Sequence, residues 1–249
     1  MASTPLPVVA GTADPSGSVP AADILVIAAH PQMEHSRVNR RLMRRVARLA
    51  GAVADEHRNA PSVLVRDLYA LYPDYLIDVP EEQALLARAK LVVWQHPIHW
   101  YSMPPLMKLW LDDVLTFGWA YGPGGMALRG KDLWLVATTG GPEESYRPDS
   151  YNRYFFDAFL PPYEQTAALC GMRFLPPLVL HGAHRVDDDA IAAHESVFAQ
   201  RIGSYPNWPE LDEMPECIAC EVPDDARPVE EPDDGPVPRI GVAATTEAA

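Results

Sequence analysis

The chain has 249 residues, 48% hydrophobic and 22% charged, enough for one substantial core. Its net charge of −14 makes it a poor general binder of nucleic acid or anionic membrane. No apolar run has the length of a bilayer span, the first residues lack the basic start and apolar core of a secretory signal, and three cysteines cannot build a disulfide framework.

Residues 1–22 are rich in Pro, Ser, Gly and Ala and read as a disordered extension. Ile24–Ala29 is a short apolar run, the first expected strand. Ser36–Ala50 follows as a helix with Val38, Leu42, Val46 and Leu49 on one face, Ser36 as its cap and Gly51 as its stop. Its six arginines, from Arg37 to Arg48, read as a solvated face, because no aromatic stripe interleaves them. Val63–Asp67 is a second strand, Glu81–Lys90 a helix, and Leu91–Gln95 a third strand. Met103–Leu115 is helical with two prolines in its first turn, where they cost least. Leu133–Thr138 is a fourth strand. Tyr154–Cys170 is helical, kinked or restarted at Pro161–Pro162. Leu178–Leu180 is a fifth strand and Asp187–Arg201 a last helix.

From Tyr205 the composition changes. Residues 205–249 hold 12 acids, two arginines and eight of the 26 prolines, and read as an acidic, mostly disordered tail. The expected division is therefore 1–22, a folded domain over 23–204, and a tail over 205–249.

Apolar strands alternating with helices describe an α/β fold with a parallel sheet covered on both faces. In such sheets ligands sit beyond the carboxyl ends of the strands, near the point where strand order reverses. Three loops lie there. The first, His30–Asn39, runs into a helix N-terminus, whose unpartnered amides and partial positive charge suit a phosphate. It fits neither the Rossmann nor the P-loop pattern. The second, His96–Tyr101, offers backbone amides and flat side chains to a planar heteroaromatic ring. The third, Thr138–Tyr146, opens with two glycines that allow close backbone approach.

With these loops in view the chain resembles the flavodoxin-like NAD(P)H:quinone oxidoreductases, and among them the ancillary flavoproteins of glutathione-regulated potassium-efflux systems. The resemblance spans about residues 24–202. It rests on His30-Pro31 with Ser36 and Asn39, on the run 95–110, on Phe117–Gly122, on Thr138–Gly141 and on 146–154. It implies a flavodoxin-like, doubly wound, five-stranded parallel sheet. It implies that His30, Ser36, Val38 and Asn39 hold a flavin phosphate. Pro97, Ile98, His99, Trp100 and Tyr101 would line the flavin ring, with Thr138, Thr139, Gly140 and Gly141 over its other edge and Tyr146 as the catalytic phenol near its pyrimidine end. In mammalian members a histidine six residues beyond that tyrosine is thought to assist charge relay; here Asn152 stands there, so only Tyr146 is carried over.

The implied activity is two-electron, ping-pong transfer from NAD(P)H through FMN, with FAD as the alternative flavin, to a quinone. The implied assembly is a homodimer, with Phe117–Tyr121 reaching the subunit boundary. The implied location is the cytoplasm, or the inner face of the cell membrane. A second reading makes the chain an ancillary subunit of a potassium/proton antiporter with little catalysis of its own. Two alternatives are weaker. His96-x-x-His99, His181-x-x-His184 and Cys217-x-x-Cys220 look like ligand pairs, but no further pair sits at a useful spacing, so no metal is expected. No G-x-S-x-G elbow supports a hydrolase.

Overall fold

The computed structural model describes residues 22–53 and 61–214. Five strands form one all-parallel sheet: β1 (Ile24–Ala28), β2 (Val63–Asp67), β3 (Leu91–Pro97), β4 (Asp132–Thr138) and β5 (Arg173–Leu180). Their order is β2-β1-β3-β4-β5, so the chain reverses direction across the sheet between β1 and β3. The helices are α1 (Asn39–Val53), α2 (Leu68–Leu71), α3 (Val79–Arg88), α4 (Pro105–Val114), α5 (Pro161–Leu169) and α6 (Asp188–Ser204).

Every position of β1, β3 and β4 is buried, as strands covered on both faces require. The period-two alternation then sorts their side chains into two layers. Leu25 and Ile27 join Leu86, Trp110 and Tyr163 beneath α3, α4 and α5. Ile24, Val26 and Ala28 join Leu42, Val46, Ile191 and Phe198 beneath α1 and α6. The expected flavodoxin-like, doubly wound sheet is the observed one.

Several boundaries differ from the expectation. α1 runs through Gly51 to Val53. The Ser36 hydroxyl still accepts the Asn39 N–H at 3.0 Å, as a capping residue does. The helix expected from Tyr154 begins only at Pro161, because the paired prolines suit a first turn and nothing earlier; a short 3₁₀ turn, Phe156–Phe159, precedes it. β5 starts five residues before Leu178 and includes Pro176 and Pro177. It is an edge strand, and the ladder shifts register opposite them, between Trp134 and Val136, so the missing N–H donors are tolerated.

The largest difference is at the C-terminal end. Tyr205, Trp208 and Leu211 are buried against the α1/α6 layer, so the packed unit continues ten residues past Ser204, to Met214. The Tyr205 hydroxyl donates to Asp132 Oδ2 at 2.9 Å, and the Trp208 indole N–H donates to the Arg201 carbonyl at 2.8 Å. The Arg201 guanidinium lies 4.8 Å from the Trp208 ring centroid and pairs with Glu210. The disorder expected of residues 1–21 and 215–249, and the Cys217/Cys220 pair, fall outside the described residues.

One buried polar network ties β2 to α3 and α4. Arg66 donates to Glu82 at 2.6 and 2.9 Å and to Glu81 at 3.0 and 3.1 Å. The Tyr72 hydroxyl and the Trp110 indole N–H also donate to Glu82, at 2.6 and 3.0 Å. Burial alone would push the Arg66 guanidinium down, but the carboxylates more than offset it and the net shift is upward.

Candidate functional site

The sheet register brings Ala28, Pro97, Thr138 and Leu180 to one rim. The loops that leave this rim are cross-linked by backbone bonds. The Ile98 N–H donates to the Thr138 carbonyl at 2.7 Å, and the Gly182 N–H to the Gly141 carbonyl at 2.8 Å. Two cavities that share Ile98 open among them.

The larger, about 650 Å³, is lined by His30, Ser36, Val38, Asn39, Pro97, Ile98, His99, Thr138, Thr139 and Gly140 from the sequence reading. Gln32, His35, Arg37 and His184 join them. The backbone N–H groups of Arg37 and Val38 meet no acceptor among the described residues. The Ser36 hydroxyl accepts from Asn39, which leaves its own hydrogen to donate. Asn39 donates its side-chain amide to Thr138 Oγ1 at 3.0 Å, while its Oδ1 is buried and unpartnered.

Four histidines line this cavity, and His30 feels two of the others, His99 and His184. Burial, then the nearby His99 and His184, push the His30 imidazole down to about 4. Burial also lowers His99. Imidazoles and unpartnered amides crowded at a helix start are suited to an anion, which would accept their hydrogen bonds and favour the charged form of a nearby ring. A Cβ added to Gly140 would meet only the His184 ring, at 3.6 Å, so this backbone stands open to the cavity.

The smaller cavity, about 200 Å³, is lined by Ile98, Trp100, Tyr101, Gly141 and Tyr146, together with Tyr151 and Asn152. His99–Ser102 form a tight turn whose ends exchange both backbone bonds, at 2.9 and 3.0 Å. Trp100 (φ 49°) and Tyr101 (φ 63°) are left-handed, a conformation costing about 1–3 kcal/mol for a non-glycine residue. The turn lifts Trp100 to 93% exposure. Tyr101 donates to Asn152 Oδ1 at 3.2 Å, and Asn152 donates to Ser145 Oγ at 2.8 Å. Asn152 is thus engaged with Tyr101 and Ser145. Tyr146 is buried, and burial raises its phenol, so it stays protonated at neutral pH.

All fourteen residues singled out in the sequence therefore lie in these two cavities. Gln32, His35, Arg37, His184 and Tyr151 were missed, and so was His181, whose ring centroid lies 5.3 Å from that of Tyr146. The rule of strand ends, extended to the fifth loop, would have found the two histidines. Phe117 and Tyr121 line a separate cavity of about 510 Å³ between α4 and α5. Among the described residues no three metal-ligating side chains cluster, and no helix is long and apolar enough to cross a membrane.

Comparison with known proteins agrees with this geometry. The family described as "Flavodoxin-like fold" matches residues 22–202. The glutathione-regulated potassium-efflux system ancillary protein KefF of Citrobacter koseri is 45% identical over 179 residues, 72% of this chain and 94% of that protein. The general stress protein 14 of Treponema denticola, solved in complex with FMN, is 35% identical with a TM-score of 0.62, over 72% of this chain and 95% of that one. A Klebsiella pneumoniae structure provisionally described as a quinone reductase is 26% identical with a TM-score of 0.62, over 75% and 86% of the two chains. A match of this length covers the whole sheet and every loop of its rim, and the chain belongs to the flavodoxin-like family, among the relatives of the potassium-efflux ancillary proteins.

Proposed function

We propose that the chain is a flavin-dependent NAD(P)H:quinone oxidoreductase with FMN as its cofactor. The observation that carries this is the larger cavity. An unpartnered helix start, four histidines and an open strand-end backbone line it together, in a chain similar to an FMN-binding protein.

The residues fit the cofactor. The amides of Arg37 and Val38, the Ser36 hydroxyl, the His30 imidazole and the Asn39 side chain would hold the phosphate. The backbone of Pro97–Tyr101 would lie along one side of the ring, and Thr138–Gly141 along the other. Bound FMN would supply the hydride-accepting and hydride-donating chemistry. The chain's part is to orient the ring, exclude water beneath Ile98, and present the Tyr146 hydroxyl as a neutral donor where negative charge accumulates. Nicotinamide and quinone would use the small cavity in turn, because it opens beside Tyr146 and Trp100.

Exposed Trp100, Tyr101 and Tyr151 line that opening, an aromatic rim suited to a second copy of the chain. The similarity to ancillary proteins of potassium efflux supports a further role beside a membrane transporter, compatible with catalysis. The segments outside the packed unit would be extensions of a single reductase domain.

The test is anaerobic. Purified protein should carry or take up FMN, lose the flavin's colour on addition of NADPH, and regain it on addition of a benzoquinone. Steady-state double-reciprocal lines should be parallel. Protein that refuses FMN, or intersecting lines, would count against the reading. Sedimentation of the full chain tests the dimer.

A further inference from the structure

The arginine face of α1 is only half matched. Arg40, Arg41, Arg44, Arg45 and Arg48 recur at spacings of three and four residues, which gathers them into one stripe on the helix surface. Arg41 pairs with Asp188 and Glu195 of α6, each at 3.3 Å, and Arg40 donates to the Glu34 carbonyl at 2.7 Å. Among the described residues the guanidinium groups of Arg44, Arg45 and Arg48 meet neither carboxylate nor carbonyl, in a chain with 34 acids to 20 bases. Arg45 and Arg48 are exposed and Arg44 half-buried. Like charges one turn apart repel, so this half of the stripe calls for an anion. The chain itself carries a complement. Residues 216–234 hold eight acids against one arginine, with acids doubled at 224–225, 230–231 and 233–234. Met214, from which that stretch departs, packs against the α1/α6 layer, as does Leu49, the neighbour of Arg48. Asp224 lies ten positions beyond Met214, a reach of about 33 Å in an extended chain. Arg40 to Arg48 span only about 12 Å of helix. So short a tether also holds the acids at a local concentration on the order of millimolar, where weak ion pairs are occupied.

We propose that the acidic segment 224–234 docks on the arginine stripe of α1, at Arg44, Arg45 and Arg48. The contact is one of charge and needs no bound flavin, so it stands or falls apart from the quinone-reductase reading. Exposed ion pairs add little to folding stability, so the docking covers the stripe without raising the melting temperature. Its effect is on what else reaches α1. The docked segment denies the stripe to anionic lipid and to other polyanions. It does so on the later turns of the helix, and the phosphate cradle at Ser36–Asn39 stays open.

The test uses the full chain. In a Cys217→Ser/Cys220→Ser background, a nitroxide on Val229→Cys should broaden the amide signals of residues 41–48. It should spare those of Leu85 and Trp110, on the other face of the sheet. Cys170 is buried and takes no label. The broadening should vanish as salt rises from about 0.05 to about 0.5 M, because screening shortens the reach of exposed charges. Arg45→Glu/Arg48→Glu, both at exposed positions, should abolish it at low salt. Adding Asp224→Lys/Asp225→Lys/Glu230→Lys/Glu231→Lys to that variant should restore it, which also shows that the variant is folded. Unbroadened α1 signals at low salt, broadening indifferent to salt, or broadening that survives Arg45→Glu/Arg48→Glu would overturn the proposal. In a mixed sample, with the nitroxide on one chain and the isotope on another, no broadening should appear; broadening there would hand the stripe to a second copy and overturn it. Loss of the broadening on addition of phosphatidylglycerol vesicles would hand the stripe to a lipid surface and do the same.

Discussion

His30 shows how one side chain reports on its cavity. It accepts the Gln32 amide on Nδ1 at 3.1 Å, so its proton sits on Nε2, free to donate. Burial and two neighbouring histidines hold its imidazole near 4, well below the ordinary value. A phosphate beside it would favour the charged ring and raise that value. Binding FMN near pH 6 should therefore draw protons from solution. Calorimetry in two buffers of different ionisation heat measures this, and His30→Gln should reduce the uptake.

Gly140 belongs to the same scale. Its backbone needs no left-handed angle, and its missing Cβ leaves room beside His184. Gly140→Ala should fold with unchanged stability yet bind FMN at least tenfold more weakly, a difference a fluorescence titration would show, because about 1.4 kcal/mol of lost contact is tenfold.

Among the elements, α3 is fastened by buried charge. Glu82 is fully buried and accepts from Arg66, Tyr72 and Trp110, so each of its oxygens is occupied. Removing the carboxylate charge leaves Arg66 in a buried site with only the half-exposed Glu81 to pair with. Glu82→Gln should cost about 3–5 kcal/mol in urea unfolding, the range for breaking a buried ion pair from one side.

Much of this level was legible in the sequence. The strands stood out because burial on both faces leaves no polar residue to interrupt them, as in Leu91–Trp94. The prolines at 104, 105, 161 and 162 marked helix starts by mechanism. What was not legible depends on partners far along the chain. β5 was read too short because Pro176 and Pro177 argue against a strand unless it is known to be an edge. The four-residue α2 is too short for a periodic signal. His181 and His184 reach the site where Gly182 bonds to Gly141 and Ala183 to Thr139, contacts between loops some forty residues apart.

For the molecule as a whole, three histidines govern acid behaviour. His30, His96 and His194 are each held near 4, chiefly by burial. Between pH 6.5 and 4 the unfolded chain binds protons there that the folded chain refuses, so stability is full above 6.5 and falls as the pH drops to 4. Asp23, lowered to about 2 by its bonds to Lys90 and Ser62, extends the loss below 4. Urea midpoints across pH 4–7 should follow this slope, and a flat profile would refute it. The C-terminal segment offers a second check. A chain ending at residue 214 should match the full chain in melting temperature, while one ending at residue 204 should melt at least several degrees lower, since it exposes a tyrosine, a tryptophan and a leucine that close one layer.

That closing segment also has a consequence for synthesis. Tyr205, Trp208 and Leu211 seal the layer begun by α1, and Arg173 with Tyr205 holds Asp132 at the start of β4. The ribosome makes the two halves of this seal more than 150 residues apart, at a pace of about 5–20 residues per second. For that interval of roughly ten seconds the nascent sheet holds one side open to solvent.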